Sequence, residues 1–208
     1  EAIRNQKLLR LKRFMSNNKF PRELWDHVYR HAVAACRCSG GMGMSCLDDE
    51  SLMLLSKPLQ QDVYFFLHKR AMCKHPLIMS LSASNVPLAR TLCTDCVSVV
   101  LYNSGVEVFA PGQVVDGMSI IASGTMRYSR VVVRTSWGGG DTPVGPRDWF
   151  CEATLWTRWH CRGVMVTDTD CQTLKLCRQA LNEALSLHPM SKKAVREYAL
   201  TFVDDLNK

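Results

Sequence analysis

Val97-Ser98-Val99-Val100-Leu101-Tyr102, Val106-Glu107-Val108-Phe109, Val114-Val115, Ser119-Ile120-Ile121-Ala122 and residues 125–134 follow one another with Gly105, Pro111-Gly112, Gly117 and Gly124 between them. Short runs rich in β-branched and aromatic residues, punctuated at this rate by Gly and Pro, predict a compact antiparallel barrel or roll. Beyond Gly138-Gly139-Gly140 two further runs, residues 163–167 and 172–176, extend the β-rich region to about 97–177. Outward from it the period changes. Residues 178–187 place Leu181, Ala184 and Leu185 at helical spacing, and residues 190–206 carry Ala194, Tyr198, Phe202 and Leu206 as one apolar stripe. On the N-terminal side Leu8, Leu9, Leu11, Phe14 and Met15, then Leu24, Trp25, Val28 and Tyr29, predict two helices joined by a turn over 16–21, with Pro21 opening the second. The Gly/Ser-rich stretch 38–46 predicts a loop, Asp48 or Asp49 a cap for a short helix to Leu55, and further helices are expected over 58–69 and 85–92. The fold class is α+β: helices over 1–70, then a second domain over 71–208 in which a roll at about 97–177 is closed by helices over 178–208.

Composition bounds the function. A 208-residue chain with 47% hydrophobic residues has an ordinary globular core. No apolar run reaches the roughly 18 residues of a membrane-spanning helix, and residues 1–19 are an amphipathic basic segment instead of a secretory leader. A start at Glu1 without Met is expected of a soluble piece of a longer protein. The net charge of +7 is uneven: residues 1–70 hold 12 Lys/Arg against 7 Asp/Glu, and the rest hold 14 against 12. That basic third lacks the aromatic interleaving and reading helix of a nucleic-acid interface, so no nucleic-acid partner is expected, whereas nearness to an anionic membrane face fits it. Ten cysteines scatter without a framework; Cys93-Thr94-Asp95-Cys96 stands alone, and reduced thiols acting as small buried hydrophobes are expected. His27 and His31 share a helix face but lack the glutamate of a zinc-protease helix, and the remaining histidines show no ligand spacing. With no nucleophile elbow and no phosphate-binding loop of an NTPase either, no enzymatic activity, no catalytic residue and no metal site are expected.

Several short motifs, in order, resemble one family: the C-linker plus cyclic nucleotide-binding domain at the cytoplasmic end of hyperpolarisation-activated, cyclic nucleotide-gated and related potassium channels. Phe20-Pro21-Arg22-Glu23-Leu24-Trp25, Leu47-Asp48-Asp49-Glu50-Ser51-Leu52 and Pro58-Leu59-Gln60-Gln61-Asp62-Val63 resemble its linker turns. Pro76-Leu77-Ile78, Phe109-Ala110-Pro111-Gly112, Met118-Ser119-Ile120-Ile121-Ala122-Ser123-Gly124, Leu181-Asn182-Glu183-Ala184-Leu185 and His188-Pro189-Met190 resemble landmarks of its roll and lid. The resemblance covers nearly the whole chain and implies helical linker, β-roll and lid helix in that order.

A cyclic nucleotide site needs free backbone N–H groups at a helix start facing the phosphate, a Gly allowing close approach, an Arg on the charge and a carboxylate for the ribose. Aligned on that cassette, Phe150 and Glu152 are kept, Glu152 as the ribose carboxylate. Cys151 replaces the Gly, Cys161 replaces the phosphate Arg with Arg162 one place on, and Thr154 stands where a side chain helps hold the phosphate. Only five residues separate Pro111-Gly112 from Met118, a cut-back hairpin for this family. The lid positions that contact the base fall on Phe202, able to stack on a purine, and Asp205. Trp149, Trp156 and Trp159 surround the cassette and are expected to pack into the cavity more than to platform a base. Exchanging a bidentate Arg for Cys removes about 1.5–3 kcal/mol, one to two decades of affinity.

The resemblance therefore implies a cytoplasmic regulatory module of a tetrameric cation channel, attached to a membrane domain N-terminal to it at the plasma membrane. Other subunits of the channel, in a homo-tetramer, are its expected partners, and cAMP or cGMP a weak ligand or none. The alternatives are the same module in a sperm-type voltage-sensing sodium/proton exchanger, or a cAMP-binding regulatory subunit of a soluble kinase. A bacterial transcription regulator fits less well, since no helix-turn-helix follows the lid.

Overall fold

The computed structural model describes residues 2–38, 55–130 and 141–208. The expected Gly/Ser loop, the helix capped by Asp48 or Asp49, the motif at 47–52, the end of the β-run over 125–134 and Trp137 with its three glycines lie outside the described residues. The chain divides into two compact units, Glu1–Leu67 and His68–Lys208.

The first unit holds α1 (Ala2–Asn17), α2 (Arg22–Cys38) and most of α3 (Lys57–Met72). The two predicted N-terminal helices form, and the Pro21 carbonyl accepts the first helical bond of α2, from the Trp25 N–H at 2.9 Å. Pro21 thus stands one place before the helix it was expected to open. Leu11 and Met15 of α1, Val28 and Ala32 of α2, and Leu55, Leu59 and Val63 make one buried cluster. Each of these side chains except Ala32 is worth about 1.5–3 kcal/mol when withdrawn from water.

The second unit begins with α4 (Pro76–Ser84) and α5 (Val86–Thr94). The strands are β1 (Val97–Tyr102), β2 (Glu107–Phe109), β3 (Gly117–Ser123), β4 (Met126–Arg130), β5 (Thr142–Val144), β6 (Trp149–Phe150), β7 (Gly163–Thr167) and β8 (Cys171–Cys177). The short α6 (Ala153–Trp156) sits between β6 and β7, and α7 (Arg178–Ser186) and α8 (Pro189–Leu206) end the chain. The strands make two four-stranded sheets, ordered β1-β8-β3-β6 and β2-β7-β4-β5, all antiparallel. The pairs β1–β8, β2–β7, β3–β6 and β4–β5 join the first half of the strands to the second in reverse order, so the region is one long hairpin, doubled back at β4–β5 and rolled.

Between the sheets Phe109, Ile121, Met126, Phe150, Cys161, Met165 and Cys171 form the shared core. The outer face of the first sheet is covered as well, by α5 on β1, α6 on β3 and α7 on β8. That double cover explains the unbroken buried run of β3, where Met118, Ser119, Ile120 and Ile121 are all buried. Gly124 turns β3 into β4 at φ +87°, and a side chain there would run into Cys171 and the Asp170 carbonyl.

Four elements escape sequence reading, among them the four-residue α6, too short to show a helical period. β6 has two residues, too few for a period; β5 carries Pro143, which its place at the edge of a sheet tolerates; and α4 carries Ser80, Ser82 and Ser84 at every second position, which is not a helical period. The four-step stripe on α8 needs correcting too. At 3.6 residues per turn each four-residue step drifts by about 40°, so Ala194 and Leu206 rotate out to solvent. Ser191 and Val195 are the buried residues of that helix.

Candidate functional site

A cavity of about 260 Å³ lies in the second unit, walled by Phe109, Tyr128, Trp149, Phe150, Trp159 and Met165, and reached by Cys151, Cys161 and Arg162. Of the residues singled out from the sequence, Phe150, Cys151, Cys161 and Arg162 meet here. Glu152, Thr154 and Phe202 do not.

Cys151 has φ +60°, a left-handed conformation that L side chains avoid at a cost of about 1–2 kcal/mol. Glycine adopts it freely, so the backbone here has a shape suited to Gly although a Cys occupies it. The carbonyl of Cys151 accepts from the Thr154 N–H at 3.1 Å and from the Thr154 hydroxyl at 2.7 Å, and the Glu152 carbonyl accepts from the Leu155 N–H at 3.0 Å. Thr154 is buried, and its side chain serves this turn.

Cys161 is buried, with its thiol 4.0 Å from that of Cys151. Its backbone is clamped to the Pro111-Gly112 corner: the Gly112 N–H donates to the Cys161 carbonyl at 2.7 Å, and the Cys161 N–H donates to the Gln113 carbonyl at 2.9 Å. Arg162, on the alternate side, is exposed and lays its guanidinium 5.0 Å from the centre of the Trp159 ring. The charge at the cavity therefore sits at its rim, stacked on an aromatic face.

Glu152 is 8% exposed and turned inward. Its Oε2 accepts from Trp149 Nε1 at 2.9 Å and its Oε1 from the Tyr198 hydroxyl of α8 at 2.8 Å. His75, fully buried just before α4, brings Nε2 to 3.0 Å from Oε2. That approach lacks the alignment of a hydrogen bond, so the contact is one of proximity, and His75 Nδ1 has no protein partner. Burial pushes the Glu152 carboxyl up, but His75 and the two donors outweigh it, and the net shift is below the ordinary carboxylate range. Burial and the neighbouring carboxylate push the Tyr198 hydroxyl well up, which keeps it a donor.

This cluster joins α4, the cassette and α8, and only Glu152 of it was singled out as a ligand-binding candidate. His75 reads from the sequence as a packing histidine, and no spacing marks it. Of the tryptophans, Trp149 and Trp159 wall the cavity, while Trp156 Nε1 is buried without a partner and its ring meets Tyr198 edge-on. Phe202 stacks on Tyr198, with centroids 6.4 Å apart, away from the cavity wall. Among the described residues no group of three or more His, Cys, Asp or Glu comes together as a metal site, and no helix is long and apolar enough to cross a membrane.

Tyr198→Phe removes one bond to a charged acceptor, expected to cost about 1.5–3 kcal/mol. Amide hydrogen exchange is expected to quicken most along α8; protection there equal to wild type would show that the hydroxyl does not hold the helix.

No family model matches the chain, and no curated protein matches it. Its fold recurs widely, in 362 solved chains that match it, and a fold by itself does not define ligand or activity. One is the crystal structure of the N-terminal domain of a transcriptional regulator from Streptomyces coelicolor A3(2). That domain is 20% identical with a TM-score of 0.53, over 66% of this chain and 92% of that one. Likeness at this identity is of fold alone. The class so defined is an α+β protein with two antiparallel four-stranded sheets and flanking helices.

Proposed function

We propose that the second unit is a cyclic nucleotide-binding homology domain whose phosphate chemistry has been lost, kept as a regulatory module. The helices of the first unit act as the linker that joins it, on the cytoplasmic side of the plasma membrane, to the pore of a tetrameric cation channel. The observation that carries this reading is Cys151 at φ +60° with Cys161 across from it. The backbone keeps a glycine's conformation at the cassette while thiols stand at both positions that a phosphate would need. The rolled hairpin followed by two helices is the connectivity expected of such a domain, and motifs along the chain support the same assignment.

The site's chemistry supports weak nucleotide binding or none. Arg162 would have to leave Trp159 to reach a phosphate, and Glu152 would have to release Tyr198 and Trp149 to accept from a ribose, each at the cost of a bond already made. A ligand shifts such an equilibrium only by its differential affinity for the two states. The module then contributes assembly and coupling, with α8 held to the cassette by Tyr198.

Titration calorimetry with cAMP and with cGMP tests this. Dissociation constants weaker than about 10 micromolar are expected for both, and a tighter value for either would refute the loss of phosphate chemistry.

A further inference from the structure

The two thiols that face each other at the cavity are a chemical feature that a nucleotide reading leaves unused. Cys73 lies 3.2 Å from the Ser82 hydroxyl, Cys96 donates to the Ala180 carbonyl, and Cys171 donates to the Thr125 and Thr169 carbonyls. Each of those sulfurs is engaged with oxygen. Cys151 and Cys161 instead have each other, Sγ to Sγ at 4.0 Å, close to van der Waals contact.

Their backbones are anchored independently, Cys161 by the Gly112 and Gln113 bonds and Cys151 by the two bonds from Thr154. The fold therefore fixes the two backbones from which the sulfurs approach each other. Cys151 is the more exposed of the two residues and lines an open cavity, which Cys161, 4% exposed, also borders. An accessible thiol backed by a second, less accessible one is the arrangement of an attacking and a resolving cysteine.

We propose that Cys151 and Cys161 are a modification site, a dithiol that a peroxide or a small-molecule disulfide converts reversibly into an intramolecular disulfide within the cavity. With a peroxide, the Cys151 sulfur attacks one oxygen, the O–O bond breaks, and a sulfenic acid and one water form. The Cys161 sulfur then attacks that sulfur, the S–O bond breaks, and a second water leaves with the remaining thiol proton. Two electrons pass from the sulfurs to the peroxide. With oxidised glutathione the same two attacks release two molecules of reduced glutathione. The bond ties the residue before Glu152 to the entry of β7, fixing both ends of the segment that carries α6, Trp156 and Trp159. It stands whether or not a nucleotide binds.

The reaction is slow by construction. Burial pushes both thiols above their ordinary range, and the groups around Cys151 are Lys175 of β8, which opposes the shift, Tyr102 of β1 and Cys161 itself, with Arg162 turned to Trp159. The thiolate is the nucleophile, so the rate is expected to rise roughly tenfold per pH unit between about pH 7 and pH 9.

The test is to reduce the chain, remove the reductant and treat it with hydrogen peroxide or oxidised glutathione. The expected result is a product lacking two hydrogens, a non-reducing digest with peptides joined through Cys151 and Cys161, and reversal by dithiothreitol. Cys151→Ser and Cys161→Ser should each abolish that joined pair, while the mapping on the unaltered chain needs no variant to fold. Separate adducts on Cys151 and Cys161, bonds from either to a different cysteine, or a rate flat in pH would overturn the proposal.

Discussion

Glu152→Ala is expected to lower the unfolding free energy of the second unit by about 3–5 kcal/mol, a large part of the roughly 5–15 kcal/mol typical of a whole domain. The substitution leaves Trp149 Nε1 and the Tyr198 hydroxyl without their acceptor and His75 buried without its carboxylate. Glu152→Gln, which keeps an oxygen acceptor of the same shape, should recover part of that loss. Urea unfolding of the three proteins checks the order; an alanine variant as stable as wild type would mean that water reaches the cluster.

The same carboxylate sets an acid limit. Its folded-state pKa is lowered from the ordinary 4.5, so the unfolded chain binds the proton more readily than the folded one. Its contribution is fully present above the unfolded value and is lost as pH falls through the folded value. The stability gap between wild type and Glu152→Gln should shrink as pH falls below about pH 4.5. A gap that widens in acid would reverse the sign argued here.

Gly124→Ala should cost about 2–5 kcal/mol, combining a left-handed residue that must now carry a Cβ with overpacking in a closed turn. At φ +87° the added carbon would lie 2.5 Å from Cys171 Sγ and 2.8 Å from its Cα, and against the Asp170 carbonyl as well. Cys171 opens β8, the strand shared by β1 and β3, so neither neighbour can yield without shifting a ladder. Gly105 and Gly112 also have positive φ, but a side chain at either would meet nothing within 4 Å. Alanine there should cost only the backbone strain, less than at Gly124. Thermal unfolding of the three variants separates strain from overlap, and equal losses would remove the role given to Cys171.

Much of the element order was legible along the chain. β1 and β7 stand over 97–102 and 163–167 as read, and β3, β8, α7 and α8 lie within a few residues of their expected bounds. Turn residues and hydrophobic period act over a few neighbours, and that information is present in a linear sequence. The Pro111-Gly112 corner was visible for the same reason. What it holds was not, since its partner Cys161 comes from beyond β6. The α8 stripe shows the limit from the other side: four-residue spacing is visible in sequence, but which residues turn inward depends on what the helix lies against.

The site divides along the same line. Resemblance to a nucleotide cassette is what drew attention to Cys151, Glu152, Cys161 and Arg162 in the sequence. Tertiary structure decided what each one touches. Cys151 took a left-handed backbone and met Cys161, Arg162 went to the rim on Trp159, and Glu152 turned inward to Trp149, Tyr198 and His75. The physical reason is distance along the chain. His75 precedes α4, Trp149 lies on β6 and Tyr198 on the last helix, so the donors that bind one buried carboxylate become neighbours only when the long hairpin has rolled and its flanking helices have closed on it.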